Sequence, residues 1–220
     1  MSLWTFRVEL PDRPGRLAAL TGAVADCRGN ILALDVQAID GTRVADELLV
    51  DLPDDVRVED VEARIRATGA DVVMLTAAST DDLVDPQTRC LELGARLVRR
   101  HPARDRLLEA ALAELVGADG AMVVPVNGVL TSALAAQALA EGRPMMARER
   151  TGLAPATAAQ EPPWLLVIPP SPGAAGQVTM LARAGAGFSA GEIARIEALL
   201  ALAAELAAYA DELASIESPA

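Results

Sequence analysis

Residues whose types could do chemistry are concentrated in one short segment, Leu10-Pro11-Asp12-Arg13-Pro14-Gly15-Arg16-Leu17. Upstream, Trp4, Phe6, Val8 and Leu10 alternate with Thr5, Arg7 and Glu9, the pattern of a strand with one buried face. Downstream, Leu17, Leu20, Val24 and Cys27 recur at helical spacing. Between the two patterns Asp12 is placed to cap, Pro14 suits a first helical turn and Gly15 allows close approach of the backbone. A helix opening here presents free N–H groups that favour an anion. Asp12 accepts from an ammonium group, and the amide of Asn30 does either. Such a set suits a zwitterion, which needs donors for its carboxylate and an acceptor for its ammonium. The same residues also have roles that need no ligand: Asp12 as a helix cap, Gly15 as relief from crowding, and Asn30 in a left-handed position after Gly29.

The other reactive side chains point away from catalysis. His101 is the single histidine and stands between Arg100 and Pro102 at an expected helix end, where terminal carbonyls or solvent satisfy it. One His with two distant cysteines, Cys27 and Cys90, does not make a metal site. Lys is absent, so no Gly-rich phosphate loop with its Lys exists, and Ser132 and Ser171 have no base assignable to them. The pairs Asp54-Asp55, Glu59-Asp60 and Asp81-Asp82 fall at helix starts or in a linker, where helix dipoles and solvation account for them. The expectation is a protein that is not an enzyme and needs no cofactor or metal.

The elements that must position the segment follow in order. Asn30 to Ala38 and Arg43 to Leu52 read as two strands joined by a turn at Asp40-Gly41. A helical stretch with Val58, Val61 and Ile65 on one face comes next, and Val72-Val73-Met74-Leu75 reads as a last strand. The order is βαββαβ. With Asp-Arg-Pro-Gly-x-Leu after the first strand and Gly29-Asn30-Ile31 opening the second, it resembles the ACT domain, a family of amino-acid-sensing regulatory modules. The resemblance implies a ligand held at a subunit interface, between this turn on one protomer and the start of the second strand on another. It places Asp12, Gly15 and Asn30 near the ligand, with Leu10, Pro14 and Ile31 as its walls.

A shift in composition at Ala77 to Asp85 marks a boundary, and Pro86 begins a new segment. Helices are expected from Pro86 to Arg100, with Leu91, Ala95 and Val98 on one side and Pro102 as the stop, and then around Leu108, Ala111, Leu112 and Leu115. Strands are expected at Ala121 to Val126, Trp164 to Ile168 and Gln177 to Ala184. A long helix from about Ala190 to Leu213 carries a broad stripe of Ile193, Ile196, Leu199, Leu200, Ala203, Leu206 and Ala210. The run Val178 to Arg183, followed by Gly187-Phe188-Ser189-Ala190-Gly191-Glu192-Ile193 and this helix, resembles the end of a GAF domain. Ser189 with Glu192 three residues on is also a capping box. The stretch Gly128 to Pro163 departs from that family, with no clear copy of its usual core strands and binding helix. The Cys and the Asn-Lys-Phe-Asp-Glu set that its pigment and cyclic-nucleotide sites need are missing.

The expected architecture is therefore α+β: a ferredoxin-like βαββαβ ACT domain over residues 1–78, a linker at 79–84, and an α/β GAF-like sensor domain over 85–215. The net charge of −12, shared by both halves, repels phosphate and argues against direct contact with nucleic acid. No long apolar run reads as a membrane span or signal peptide, and two cysteines make no disulfide framework, which fits a cytoplasmic protein. The expected function is regulation through a bound small ligand, an amino acid first, in a homodimer that signals through assembly or a protein partner. The alternatives are a dimerisation scaffold without a ligand and a regulatory subunit of an amino-acid biosynthetic enzyme.

Overall fold

The first strand owes its central place to its alternation, because Phe6, Val8 and Leu10 all face one way and need an apolar cover. A computed structural model of the chain describes residues 2–38, 42–99, 104–126, 132–153, 161–170 and 176–217. These fall into two units, Met1–Asp85 and Pro86–Ala220. The expected turn at Asp40-Gly41, His101 with its neighbours Arg100 and Pro102, and Ser171 lie outside the described residues.

In the first unit β1 (Ser2–Pro11), α1 (Arg16–Asp26), β2 (Asn30–Ala38), β3 (Arg43–Leu52), α2 (Val58–Ala67) and β4 (Asp71–Ala77) follow one another. The four strands form one sheet in the order β2-β3-β1-β4, with every neighbouring pair antiparallel. This is the ferredoxin-like, split βαβ arrangement. Phe6, Val8 and Leu10 of β1 and Leu48, Val50 and Leu52 of β3 meet Leu20 and Val24 of α1 and Val61 and Ile65 of α2 in one core. Gly29 tightens the α1 to β2 connection: a Cβ there would lie 2.7 Å from Cγ1 of Val24 and 3.0 Å from Cδ2 of Leu52. The left-handed residue of this turn is Arg28, at φ 61°, and not Asn30, which already pairs with Asp51 in the sheet.

The second unit is built from α3 (Pro86–Arg99), α4 (Arg104–Val116), β5 (Gly120–Pro125), α5 (Ala133–Glu141), β6 (Met145–Arg148), β7 (Trp164–Ile168), β8 (Gln177–Arg183) and α6 (Ala190–Glu217). Its sheet runs β5-β8-β7-β6, again antiparallel throughout. Alternate residues of β7 serve two cores. Leu166 and Ile168 pack with α3, α4 and α6 on one side, while Leu165 and Val167 pack with Leu134, Ala135 and Ala138 of α5 on the other. Both units are thus α+β.

Two expectations for this unit change. The helix α3 buries Leu93 and Leu97, leaving Leu91, Ala95 and Val98 exposed. Two apolar stripes of similar length compete on this helix, and Gly94 decides between them: a Cβ there would stand 2.7 Å from Cδ2 of Leu202, so the glycine face is where α6 comes close. The stretch Gly128 to Pro163 holds a helix and a strand, α5 and β6, that its Ala-rich composition did not separate from loop.

Candidate functional site

The turn between β1 and α1 is held at its base by Asp12, whose backbone N–H donates to the carbonyl of Thr42 at 2.8 Å. Leu10 just before it is 1% exposed and belongs to the core beneath the turn. Asp12 does not cap α1. The N-cap is Gly15, at φ 86°, and no side chain accepts a hydrogen bond from the helix start. Pro14 therefore stands before the helix and not in its first turn. Crowding is not what selects glycine here either, since a Cβ at Gly15 would meet nothing within 4 Å. The left-handed backbone is the requirement.

This leaves an uncompensated positive helix end. The N–H groups of Leu17 and Ala18 find no acceptor among the described residues, and the first turn contains no acidic residue. Leu17 itself, expected on the buried face of α1, is 37% exposed; the helix buries Leu20, Ala23 and Val24 instead. Nearby, β2 forms an open edge of the sheet, and Leu34 and Val36 on its helix-facing side are 40% and 51% exposed.

A residue that pattern reading passed over lies at the same end of the sheet. Asp46 of β3 pairs in register with Val8 of β1 and Val36 of β2, so its side chain lies on the helix-facing side of the sheet. It stands two positions from Val44, the partner of Leu10, at the end of the sheet where β1 turns into α1. It is 1% exposed, and its Oδ1 has no hydrogen-bond partner. Burial, and then the neighbouring charge of Asp12, push its carboxyl above the ordinary carboxylate range. The signal for it was present: Val44, Leu48, Val50 and Leu52 occupy the inward positions of β3, and Asp46 falls in that alternation.

Asn30 lies elsewhere in the chain. It is exposed at the start of β2, opposite Asp51, whereas Asp12 follows Pro11, which is opposite Arg43. From Asp51 to Arg43 is a run of about 26 Å along β3. Asn30 and its partly buried neighbour Ile31 therefore do not meet Asp12, Pro14 and Gly15 within one protomer.

The start of α6 in the second unit is closed by its own side chains. Arg183 is held by Glu192, with Nη1 to Oε1 at 2.6 Å and Nη2 to Oε2 at 3.1 Å. It also donates to the carbonyls of Val116, Ala186 and Gly187, and it lies 4.3 Å over the ring of Phe188. The expected capping box forms: the N–H of Glu192 donates to Oγ of Ser189 at 3.2 Å, and the N–H of Ser189 to Oε2 of Glu192 at 2.7 Å. Ser132 caps α5, accepting from the N–H of Ala135. Cys27 and Cys90 are free thiols packed against the cores of their units. Among the described residues no three His, Cys, Asp or Glu gather as a metal-ion site, and no helix is long and apolar enough to cross a membrane.

No family model matches the chain, and no curated protein matches its sequence. Solved structures with some likeness include an unknown protein from Galdieria sulphuraria, 12% identical over 93% of this chain and 92% of that one, with a TM-score of 0.33. Another is a formyltetrahydrofolate deformylase from Pseudomonas putida KT2440, 15% identical over 46% of this chain and 39% of that one, with a TM-score of 0.28. A formyltetrahydrofolate deformylase from Burkholderia mallei ATCC 23344 is 12% identical over 94% and 90%, with a TM-score of 0.31. Likeness at this level carries no argument about what the chain does. The fold defines a two-unit α+β protein whose first unit has an uncapped helix start and an open edge at β2.

Proposed function

We propose that the chain is a non-catalytic regulatory protein whose first unit is an ACT-like module that binds an amino acid beside the start of α1. The observation that carries this reading is the uncapped N-terminus of α1, with N–H groups unpartnered among the described residues, at the end of the sheet where the buried Oδ1 of Asp46 also lacks a partner. A carboxylate of the ligand takes the helix N–H groups, and Leu17, Leu34 and Val36 offer apolar surface to a side chain. The second unit, GAF-like in this reading, is the part through which binding is passed to an assembly change or a protein partner.

A homodimer completes the site. The nine-residue β2 has an open outer edge with exposed apolar residues, a surface that pairs readily with a second copy. Antiparallel pairing of two β2 strands about their middle sets Asn30 of one protomer opposite the Ala38 end of the other, toward Asp12. The separation seen within one chain is then what a shared site requires.

Thermal unfolding with each common L-amino acid in large excess tests the reading. A ligand at about one hundred times its Kd stabilises by about 2.7 kcal/mol and raises the midpoint visibly. A rise with one amino acid or a related few supports the sensor. A flat response across the panel, with a dimer still present by light scattering, favours the scaffold alternative.

A further inference from the structure

We propose that Asp46, buried beneath the α1 turn with an unpartnered Oδ1, is the residue that receives the ligand's ammonium group, so that the site selects primary amines. This rests on the reading of the α1 start as an amino-acid site and assigns the second half of that site.

The helix start satisfies an anion only. A zwitterion also needs an acceptor, and the neighbouring carboxyls of Asp12 and Asp46 differ sharply in what an ammonium gains from them. Asp12 is exposed, so water competes for it. Asp46 is almost wholly out of water, where a charge-assisted hydrogen bond is stronger and an unpartnered carboxyl costs the fold stability. Among the described residues no donor reaches that Oδ1. Asp46 pairs in register with two valines, a setting in which an apolar residue would stabilise the sheet.

The charged groups around Asp46 leave room for a cation. From β1 it faces Val8 and from β2 Val36, neither of which titrates. The turn contributes Asp12 and Arg13, and the start of α1 contributes Arg16. Burial and then the charge of Asp12 raise the carboxyl above the ordinary carboxylate range. An ammonium beside it acts in the opposite direction, stabilising a carboxylate that accepts from the N–H groups of the amine. Val36, in register beside it on the edge strand, is half exposed, so the approach to Asp46 is from the β2 edge.

The test uses the full chain and three sets of probes: free L-amino acids, their amides, which keep the ammonium without the carboxylate, and their N-acetyl derivatives, which keep the carboxylate without the ammonium. Binding and thermal midpoints are measured for wild type, Asp46→Asn and Asp46→Val, the last matching the valines in register. The expected result is that free amino acids bind wild type, amides bind more weakly and N-acetyl derivatives fail. Both variants then unfold at or above the wild-type midpoint and bind free amino acids about ten- to hundredfold more weakly.

Equal binding of free and N-acetyl amino acids overturns the role of Asp46 and leaves the amino-acid reading standing. Unchanged affinity in Asp46→Asn does the same, and so do variants that unfold earlier than wild type, which would make Asp46 structural. If none of the three sets binds wild type, both the assignment and the reading beneath it fall.

Discussion

Two helix starts, α1 in the first unit and α6 in the second, face the same physical problem and meet it differently. At α6, Ser189 and Glu192 satisfy each other's backbone N–H groups, and the carboxylate of Glu192 also pairs with buried Arg183. At α1, a left-handed glycine stands at the cap, no side chain among the described residues accepts from the helix, and Oδ1 of nearby buried Asp46 has no partner. Each region buries an acid, but one acid is enclosed by donors and the other is not. A polar cluster complete in itself stiffens a fold, whereas one left incomplete costs stability unless something from outside completes it. The comparison sets a polar cluster closed by its own side chains at α6 against one left open at α1.

The largest effect should come from breaking the complete cluster. Glu192→Ala leaves the guanidinium of Arg183 buried beside backbone carbonyls alone, and a loss of about 3–5 kcal/mol is expected in the second unit. Denaturant unfolding followed by tryptophan fluorescence reads this separately for each unit, because Trp4 lies in the first and Trp164 in the second. A Trp4→Phe background isolates the signal of Trp164.

Gly15→Ala comes next. The added methyl has space, so the cost is that of a left-handed backbone alone, about 1–2 kcal/mol, and it should appear in the Trp4 signal. A cost near zero would mean that the turn relaxes to another conformation. Ser189→Ala removes half of the capping box and should cost the second unit about 1 kcal/mol, less than Glu192→Ala because the ion pair stays.

Asp46 should give a smaller effect of opposite sign with a distinct pH dependence. Its folded carboxyl titrates above the ordinary 3.8, so the native state holds the proton more tightly than the unfolded chain. Its contribution is then fully present below the unfolded value and is lost as pH rises through the raised folded value. Asp46→Asn should remove that decline, which urea unfolding at a series of pH values above 3.8 would show as a difference between the two proteins. The smallest change is expected at Arg28–Asp55, a 2.6 Å ion pair with both side chains mostly exposed. Asp55→Asn should leave the midpoint unchanged at moderate salt, since water screens such pairs.

Much of this was legible along the chain. The alternation of Trp4 to Leu10, the bounds of β2 and β3, and the face formed by Val58, Val61 and Ile65 follow from periodicity, because a strand or helix that buries one face repeats its apolar residues at its own period. The capping box of α6 was legible for the same local reason: both partners lie within four residues. Leu17 and the stripe Leu91, Ala95 and Val98 were misplaced because an apolar pattern shows that a face exists, while the neighbour that covers it comes from elsewhere in the chain. For α3 that neighbour is α6, admitted by Gly94.

The sequence by itself determined the order of the elements in the first unit and the position of the Asp12 to Leu17 turn, since these depend on residues close together in the chain. Only the tertiary structure decided that Gly15 rather than Asp12 stands at the cap, that Asn30 is remote from Asp12, and that Asp46 lies buried under the turn without a partner. Those outcomes depend on strand register and on which faces the helices cover, and both are set by residues tens of positions apart meeting in one core.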